Sequence, residues 1–399
     1  MTKLRLNSIV LPPALALLYV VLVPGAAAAQ RLLQRFLPQP ISPQQSSPQP
    51  SSWVGQRVMQ MRAGLQSGHT ESDKFVRDAD LTDFVYKVLN EQDGWFYVNH
   101  RGIEGWVPGN EVIPLDQAVS HFSERIRLNS NDAFAFAARG RAWREDGELE
   151  RALKDLNEAI RLEPKNARWY GNRGLVYDEL DEPDRALDDY DDAIRLDAKE
   201  PQHLIGRGRV YKGNREYDKA IADYTAALRL DPKSTDAYFN RANAYKAKRD
   251  YDEAVRDYTE AIRLDAEAPD AYFNRANARK AKREFAEAVR DLKAVIRLDP
   301  DDADAHGSLA WLLACCADER VRDGKKAVEH ATKACELTSW AASYFLATLG
   351  VAYAEAGDFT QAVRWQEKAL ESPRYERDEG EDARDRIKRF KNGQPYREK

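Results

Sequence analysis

The triplet Ile-Arg-Leu returns along this chain at one fixed interval: Ile126, Ile160, Ile194, Leu228 (as Leu-Arg-Leu), Ile262 and Ile296 are each 34 residues apart. A period of that length means copies of one two-helix unit, each unable to bury its apolar face alone and therefore stacked on its neighbours. A solenoid of helical hairpins binds along its surface, so function is to be sought there. The remaining composition agrees, at 43% hydrophobic and 32% charged with a net charge of -5. That mildly acidic balance offers no footprint for nucleic acid.

Within the units certain columns recur. Phe136, Tyr170, Leu204, Tyr238 and Tyr272 are large; Gly140, Gly174, Gly208, Ala242 and Ala276 are small; Trp143, Tyr177, Tyr211 and Tyr245 are aromatic; Ala152, Ala186, Ala220, Ala254 and Ala288 are alanine. Small columns let two helices approach closely, and large ones fill the space beside them. The turns between helices fall at Gly147-Glu148, Asp181-Glu182-Pro183, Arg215-Glu216 and Arg249-Asp250. These columns resemble the tetratricopeptide repeat, which implies a mainly α fold, a right-handed superhelix whose first helices line a concave groove. Two drifted units follow, Ala303 to Ser339 with an insertion placed near Ala317 to Gly324, and Ser343 to Pro373. Seven repeats thus span 131–373, and 374–399 is read as a capping helix near Glu381 to Lys391, with Ala383, Ile387 and Phe390 as its apolar stripe, and a fraying tail from Asn392.

The N-terminus reads as an export signal over 1–29: Lys3 and Arg5, an apolar stretch from Ile9 to Val23, then Ala26 to Ala29. The expected location is exported, periplasmic or cell envelope. The alternative is a membrane anchor formed by residues 8–29, which Pro12, Pro13 and Pro24 oppose. Residues 30–52 form a Pro/Gln/Ser-rich disordered linker. Cys315, Cys316 and Cys335 are read as buried thiols.

Residues 53–114 change character, with β-rich runs at Phe84 to Leu89, Trp95 to Val98 and Gly105 to Val107 separated by Asp93-Gly94, Arg101-Gly102 and Pro108-Gly109. Tyr86, Val88, Gly94, Trp95, Val98, Gly105, Trp106, Val107, Val112 and Ile113 resemble the pattern of bacterial Src-homology-3-like (SH3-like) domains, small β barrels that often bind cell-wall or peptide ligands. The resemblance makes Trp95, Tyr97 and Trp106 a candidate ligand surface. The competing expectation is that at least two of the three pack the core of so small a domain. The polar stretch Arg62 to Thr82 fits the pattern least. Leu115 to Leu128 overlays Leu149 to Leu162 at the 34-residue offset, so 115–130 is read as an orphan repeat helix that docks the β domain rigidly as a cap.

Five arginines recur in register, Arg139, Arg173, Arg207, Arg241 and Arg275, each followed sixteen residues later by Asp155, Asp189, Asp223, Asp257 and Asp291. A hairpin brings each pair side by side, so this ladder is read as structural. The functional stripe is another face of the first helices. Phe239, Asn243 and Lys246 share one face, as do Phe273, Asn277 and Lys280; Ile205, Arg209 and Lys212 precede them, after Gly171, Leu175 and Asp178 and after Ala137, Arg141 and Arg144. Asparagine amides can grip a peptide backbone and lysines a carboxylate.

The six histidines (His69, His100, His121, His203, His306, His330) show no metal-ligand spacing, and no nucleophile motif, phosphate loop or dinucleotide fingerprint occurs. The chain is accordingly read as a non-enzymatic interaction scaffold of the cell envelope, without cofactor or metal. Its groove residues Arg209, Lys212, Phe239, Asn243, Lys246, Phe273, Asn277 and Lys280 are expected to take an acidic or C-terminal peptide of a protein partner. The alternative is a peptidoglycan-binding protein that uses its SH3-like domain and the repeats as a spacer. In either case membrane contact requires an uncleaved leader. The whole layout resembles exported repeat proteins of planctomycete type.

Overall fold

The 34-residue period is realised as seven helical hairpins. The computed structural model describes residues 54–61, 66–71, 74–80, 85–92, 94–100 and 103–398, so the expected leader and linker lie outside the described residues. An orphan helix α1 (Leu115–Leu128) precedes the hairpins α2 (Ala133–Glu145) with α3 (Leu149–Leu162), α4 (Ala167–Glu179) with α5 (Pro183–Leu196), and α6 (Pro201–Gly213) with α7 (Tyr217–Leu230). There follow α8 (Thr235–Ala247) with α9 (Tyr251–Leu264), α10 (Pro269–Ala281) with α11 (Phe285–Leu298), α12 (Ala303–Cys315) with α13 (Gly324–Leu337), and α14 (Ser343–Glu355) with α15 (Phe359–Leu370), closed by α16 (Pro373–Lys391). None of these helices is long and apolar enough to cross a membrane.

Local chemistry sets the ends of the hairpin helices. Asp132, Asn166, Ser234 and Asp302 cap first helices by accepting a backbone N–H with their side chains. Each of the first five tight turns then needs one left-handed residue, and Gly147, Asp181, Arg215, Arg249 and Arg283 adopt φ between +58° and +79°. The next N–H closes the turn onto the helix, as when Glu182 N donates to Tyr177 O at 2.9 Å and Asp250 N to Tyr245 O at 2.9 Å. The alanine column Ala152, Ala186, Ala220, Ala254 and Ala288 is fully buried where the two helices of each unit meet. First helices of adjacent units also touch one another directly, which makes them the inner wall of the solenoid.

The arginine ladder is structural, as its spacing implies. Arg207 Nε and Nη2 donate to both carboxylate oxygens of Asp223 at 2.8 and 2.7 Å, and Nη1 reaches back to Asp191 of the preceding unit at 2.6 Å. The other four arginines repeat the bidentate bond, and their Nη1 atoms reach back to Ser123, Asn157, Thr225 and Thr259. Each rung therefore ties a hairpin together and ties it to its neighbour.

Before the helices stands one antiparallel sheet of seven strands, β1 (Arg57–Gln60), β2 (Gln66–Glu71), β3 (Lys74–Asp80), β4 (Val85–Gln92), β5 (Trp95–His100), β6 (Ile103–Pro108) and β7 (Val112–Pro114), in the order β3-β2-β6-β5-β4-β1-β7. The hairpin of β2 and β3 occupies the polar stretch that the sequence left without strands, and backbone pairing holds it where no apolar alternation announces it. Val58, Tyr86, Val88, Phe96, Val98 and Val107 form one buried side, while Met59 and Val85 are buried on the opposite side, towards α1. Trp95, Tyr97 and Trp106 lie apart from that row of side chains. They alternate onto the other face, half-buried, with the Tyr97 and Trp106 rings 5.3 Å apart across the β5/β6 pair.

The orphan helix joins sheet to solenoid without a linker. α1 starts directly at the end of β7, and its Phe122 and Ala118 share one core with Met59 and Val85 of the sheet and with α2 and α3. Arg57 of β1 pairs with Glu145 of α2, and Arg125 of α1 binds both Met61 O and Asp132, at 2.6 Å from the latter. Residues 54–399 accordingly form one compact unit.

At the far end the insertion lies between α12 and α13, over residues 316–323, and the three cysteines are free and buried. Burial pushes the Cys335 thiol up to about 12, so all three act as small apolar groups. The capping helix starts at Pro373, eight residues before the expected Glu381, because Ser372 caps it and Tyr375 is buried beside Ala383, Ile387 and Phe390. The tail does not fray: residues 395–398 are half-buried against the last units.

Candidate functional site: the concave groove

The stripe lies along the inner wall, but its units differ in what surrounds the charges. In the first unit Arg141 pairs with Glu145 at 2.8 Å and Arg144 with Glu179 at 3.2 Å, so the stripe is internally neutralised there. Burial, then Arg141, pulls the Arg144 guanidinium down to about 10. Ala137 and Ile205, expected on the stripe, are buried. Arg209 reaches across to Asp178 of the preceding unit at 3.0 Å.

The middle units behave otherwise. Lys212 Nζ donates to Asn240 Oδ1 at 3.4 Å, and Lys246 Nζ donates to Asn274 Oδ1. Neither ammonium forms an ion pair among the described residues. Burial lowers the pKa of both, aided by Arg209 beside Lys212 and by Lys212 beside Lys246. Two partly buried cations thus lie in each other's field without an ion pair among the described residues, although Asp178 partly offsets the charge of Lys212, an arrangement that an incoming carboxylate would relieve. Phe239 is half-buried against Tyr258, the rings 5.8 Å apart, and Tyr258 Oη donates to Asn243 Oδ1 at 2.6 Å. That bond fixes the Asn243 amide and keeps its N–H donors for another acceptor.

Phe273 packs against the C-terminal core, whereas Asn277 is exposed. Asn277 and Lys280 flank a cavity of about 300 Å³ together with Glu398, whose carboxylate stands 3.5 Å from Lys280 Nζ. The expected groove residues therefore fall into two groups: Arg209, Lys212, Phe239, Asn243 and Lys246 at the centre, and Phe273, Asn277 and Lys280 beside the chain's own C-terminus.

Sequence reasoning missed one feature of the centre. A cavity of about 340 Å³ opens on the inner wall between α4, α6 and α8, lined among others by Arg141, Arg168, Asn172, Glu200, His203, Arg209, Asp236, Phe239 and Asn240. Two glycines let side chains of adjacent helices close in on its wall. A Cβ on Gly171 would lie 2.7 Å from His203 Nδ1, and one on Gly206 would lie 2.4 Å from the Tyr190 ring. Asn172 Nδ2 and His203 Nε2 are buried there without a hydrogen-bond partner. Burial pulls His203 down to about 4, so it is neutral near pH 7. Unsatisfied amide and imidazole nitrogens, in a wall that carries Arg168 and Arg209 as well as Glu200 and Asp236, suit polar groups of a ligand.

A histidine pair also escaped the spacing argument. His306 Nδ1 and His330 Nδ1 stand 3.0 Å apart across the α12/α13 hairpin, and burial lowers both pKa values. Among the described residues no group of three potential ligands surrounds a metal position.

With this geometry in hand, comparison with known proteins assigns the repeat. One tetratricopeptide-repeat family model matches residues 205–269, 240–279 and 273–314, and related models match 140–181, 167–200 and 345–372. Similar solved structures include YrrB, a repeat protein with an unusual peptide-binding site, at 24% identity over 47% of this chain and 96% of that one, with a TM-score of 0.39. Pseudomonas aeruginosa pilF is similar at 18% identity over 56% and 94%, with a TM-score of 0.45. MamA from Desulfovibrio magneticus RS-1 follows at 20% identity over 44% and 96%, with a TM-score of 0.40. No curated protein matches the sequence.

Proposed function

We propose that this tetratricopeptide-repeat protein is an interaction scaffold of the cell envelope that binds an acidic or C-terminal peptide of a partner protein in its concave groove. The observation that carries the reading is the Lys212 and Lys246 pair, two partly desolvated cations on a net-negative chain that bond to amides and form no ion pair among the described residues. A peptide carboxylate there replaces cation repulsion with charge-assisted bonds. Phe239 supplies apolar anchor area beside it, and the unpartnered Asn172 and His203 nitrogens supply polar contacts. The envelope assignment rests on the leader read in residues 1–29. An array of acidic peptides with free C-termini is the test. The full chain should bind a subset, and Lys212→Glu/Lys246→Glu should lose it; equal binding by both would refute the groove.

A second reading is favoured by one observation, the partly exposed Trp95, Tyr97 and Trp106 on one face of the sheet. Aromatic faces of that kind suit sugar rings or stem peptides of a cell wall, the ligand class that the SH3-like resemblance implies. Co-sedimentation of the full chain with purified peptidoglycan, reduced in Trp106→Ala, would support it. Failure of the unmodified chain to sediment would remove it.

A further inference from the structure

After α16 the chain turns back at Gly393, where φ is +69°, and its last residues settle against the first helices of the final units. The Glu398 amide donates to Cys315 O at 2.9 Å. Its carboxylate accepts from Trp311 Nε1 at 3.1 Å and stands 3.5 Å from Lys280 Nζ. Two residues earlier the Tyr396 ring packs on Trp311, with centroids 5.8 Å apart, and Arg386 lies over it at 5.7 Å. Between them Arg397 pairs with Glu355 at 2.6 Å.

These contacts are placed on the stripe itself. Lys280 is the third member of the last trio, and Trp311 stands 34 residues after Asn277, in the second column. The tail thus brings a carboxylate to the stripe lysine and an aromatic ring to the next position along it. Its hold is partial: residues 395–398 keep some exposure, and Lys280 and Glu398 are each about one-third exposed. Exposed ion pairs of this kind are weak, so retention depends on the tether, which supplies an effective concentration in the millimolar range. An external segment that makes the same contacts and also reaches the Lys246 region gains contacts that the tail lacks.

We infer that Lys280, Trp311, Glu355 and Arg386 form a peptide subsite whose resident occupant is the chain's own Tyr396–Glu398, and which exchanges that tail for a partner segment carrying an aromatic residue two places before a carboxylate. This rests on the reading of the groove as an acidic-peptide site and specifies its ligand. The tail then acts as a competitor built into the chain, and partners lacking the aromatic and the acid do not displace it.

The test uses a fluorescein-labelled peptide of residues 393–399, GQPYREK, titrated by anisotropy against three proteins. These are the intact chain, a chain ending at Gly393, and the full-length Tyr396→Ala/Glu398→Lys variant. Both tail-disabled forms should bind the probe at least about ten-fold more tightly than the intact chain, the expected release from an intramolecular competitor. A probe with the same two substitutions should bind none of them, and Lys280→Glu in the shortened chain should abolish binding. Absence of saturable binding to both tail-disabled forms overturns the proposal, whatever their melting temperatures, because the tail is then a fixed strut. Since the probe needs only this subsite, that failure would leave binding of acidic peptides at Lys212 and Lys246 intact. Failure of the groove reading would instead appear as peptide-array binding indifferent to those two lysines.

Discussion

Arg241 and Asp257 meet across the fourth hairpin through two parallel N–H···O bonds of 2.7 and 2.8 Å, with the aspartate buried and the Arg241 guanidinium 5.7 Å above the Tyr238 ring. Asp257→Ala leaves a partly buried guanidinium without its carboxylate, and should lower stability by about 3–5 kcal/mol. Replacing both partners, as in Arg241→Met/Asp257→Leu, should cost less than the single change because no charge is stranded. Urea unfolding of the three proteins checks the order; a double variant weaker than Asp257→Ala would contradict it.

The inter-helix turns offer the opposite kind of change. Arg215, Arg249 and Arg283 hold left-handed φ values of 61°, 67° and 62°, a conformation that costs a side-chain-bearing residue roughly 1–2 kcal/mol and glycine almost nothing. After the extra chain entropy lost by glycine, Arg249→Gly should stabilise the chain by about 0.5–1 kcal/mol. Gly147→Ala, at φ +79°, should destabilise it by a similar amount. Thermal melts that shift in the same direction for both would count against this account.

The first helices, the second helices and their turns were legible because each apolar column recurs at a fixed offset, so a misreading in one unit is corrected by the next. The same offset found α1, since Phe122 falls over Leu156, and the even spacing of Arg139 and Asp155 about the turn at Gly147 matched that pair. The central cavity was not legible. Its wall depends on His203 and Tyr190 lying against Gly171 and Gly206, and a column of residue types does not record which side chain meets which glycine or the volume left between helices. The tail was missed for a related reason: Tyr396 and Glu398 belong to no periodic element, and only the turn at Gly393 carries them back to Trp311 and Lys280. The strands β2 and β3 were hidden by polar composition.

His203 predicts how stability depends on pH. The unfolded chain binds a proton on this imidazole as pH falls below about 6.5, whereas the buried ring stays neutral until about pH 4. The unfolded state therefore holds more protons in that window, and stability must fall as the solution is acidified. His203 alone contributes a loss on the order of 3 kcal/mol, complete by about pH 4. His306 and His330, both lowered by burial, add to it in the same direction. Guanidinium midpoints between pH 7 and pH 4 should decline less steeply in His203→Gln; an unchanged slope would show that the ring is solvated.

The junction at Phe122 predicts that sheet and solenoid melt together. This ring is fully buried in a core that also contains Met59 and Val85 of the sheet and Leu156 of the first hairpin. Truncation to alanine removes a complete aromatic side chain from between two layers, which costs about 3–5 kcal/mol. Because β1 and β7 both contact α1, the loss should extend into the sheet beyond the helix itself. Hydrogen exchange should show faster exchange for Val58, Met59 and Ile113 amides in Phe122→Ala, while hairpins beyond α5 stay near their original protection, as expected when repeats interact chiefly with neighbours. Sheet amides that remain protected in this variant would mean that the sheet folds independently of α1, and the rigid attachment inferred from the shared core would fail.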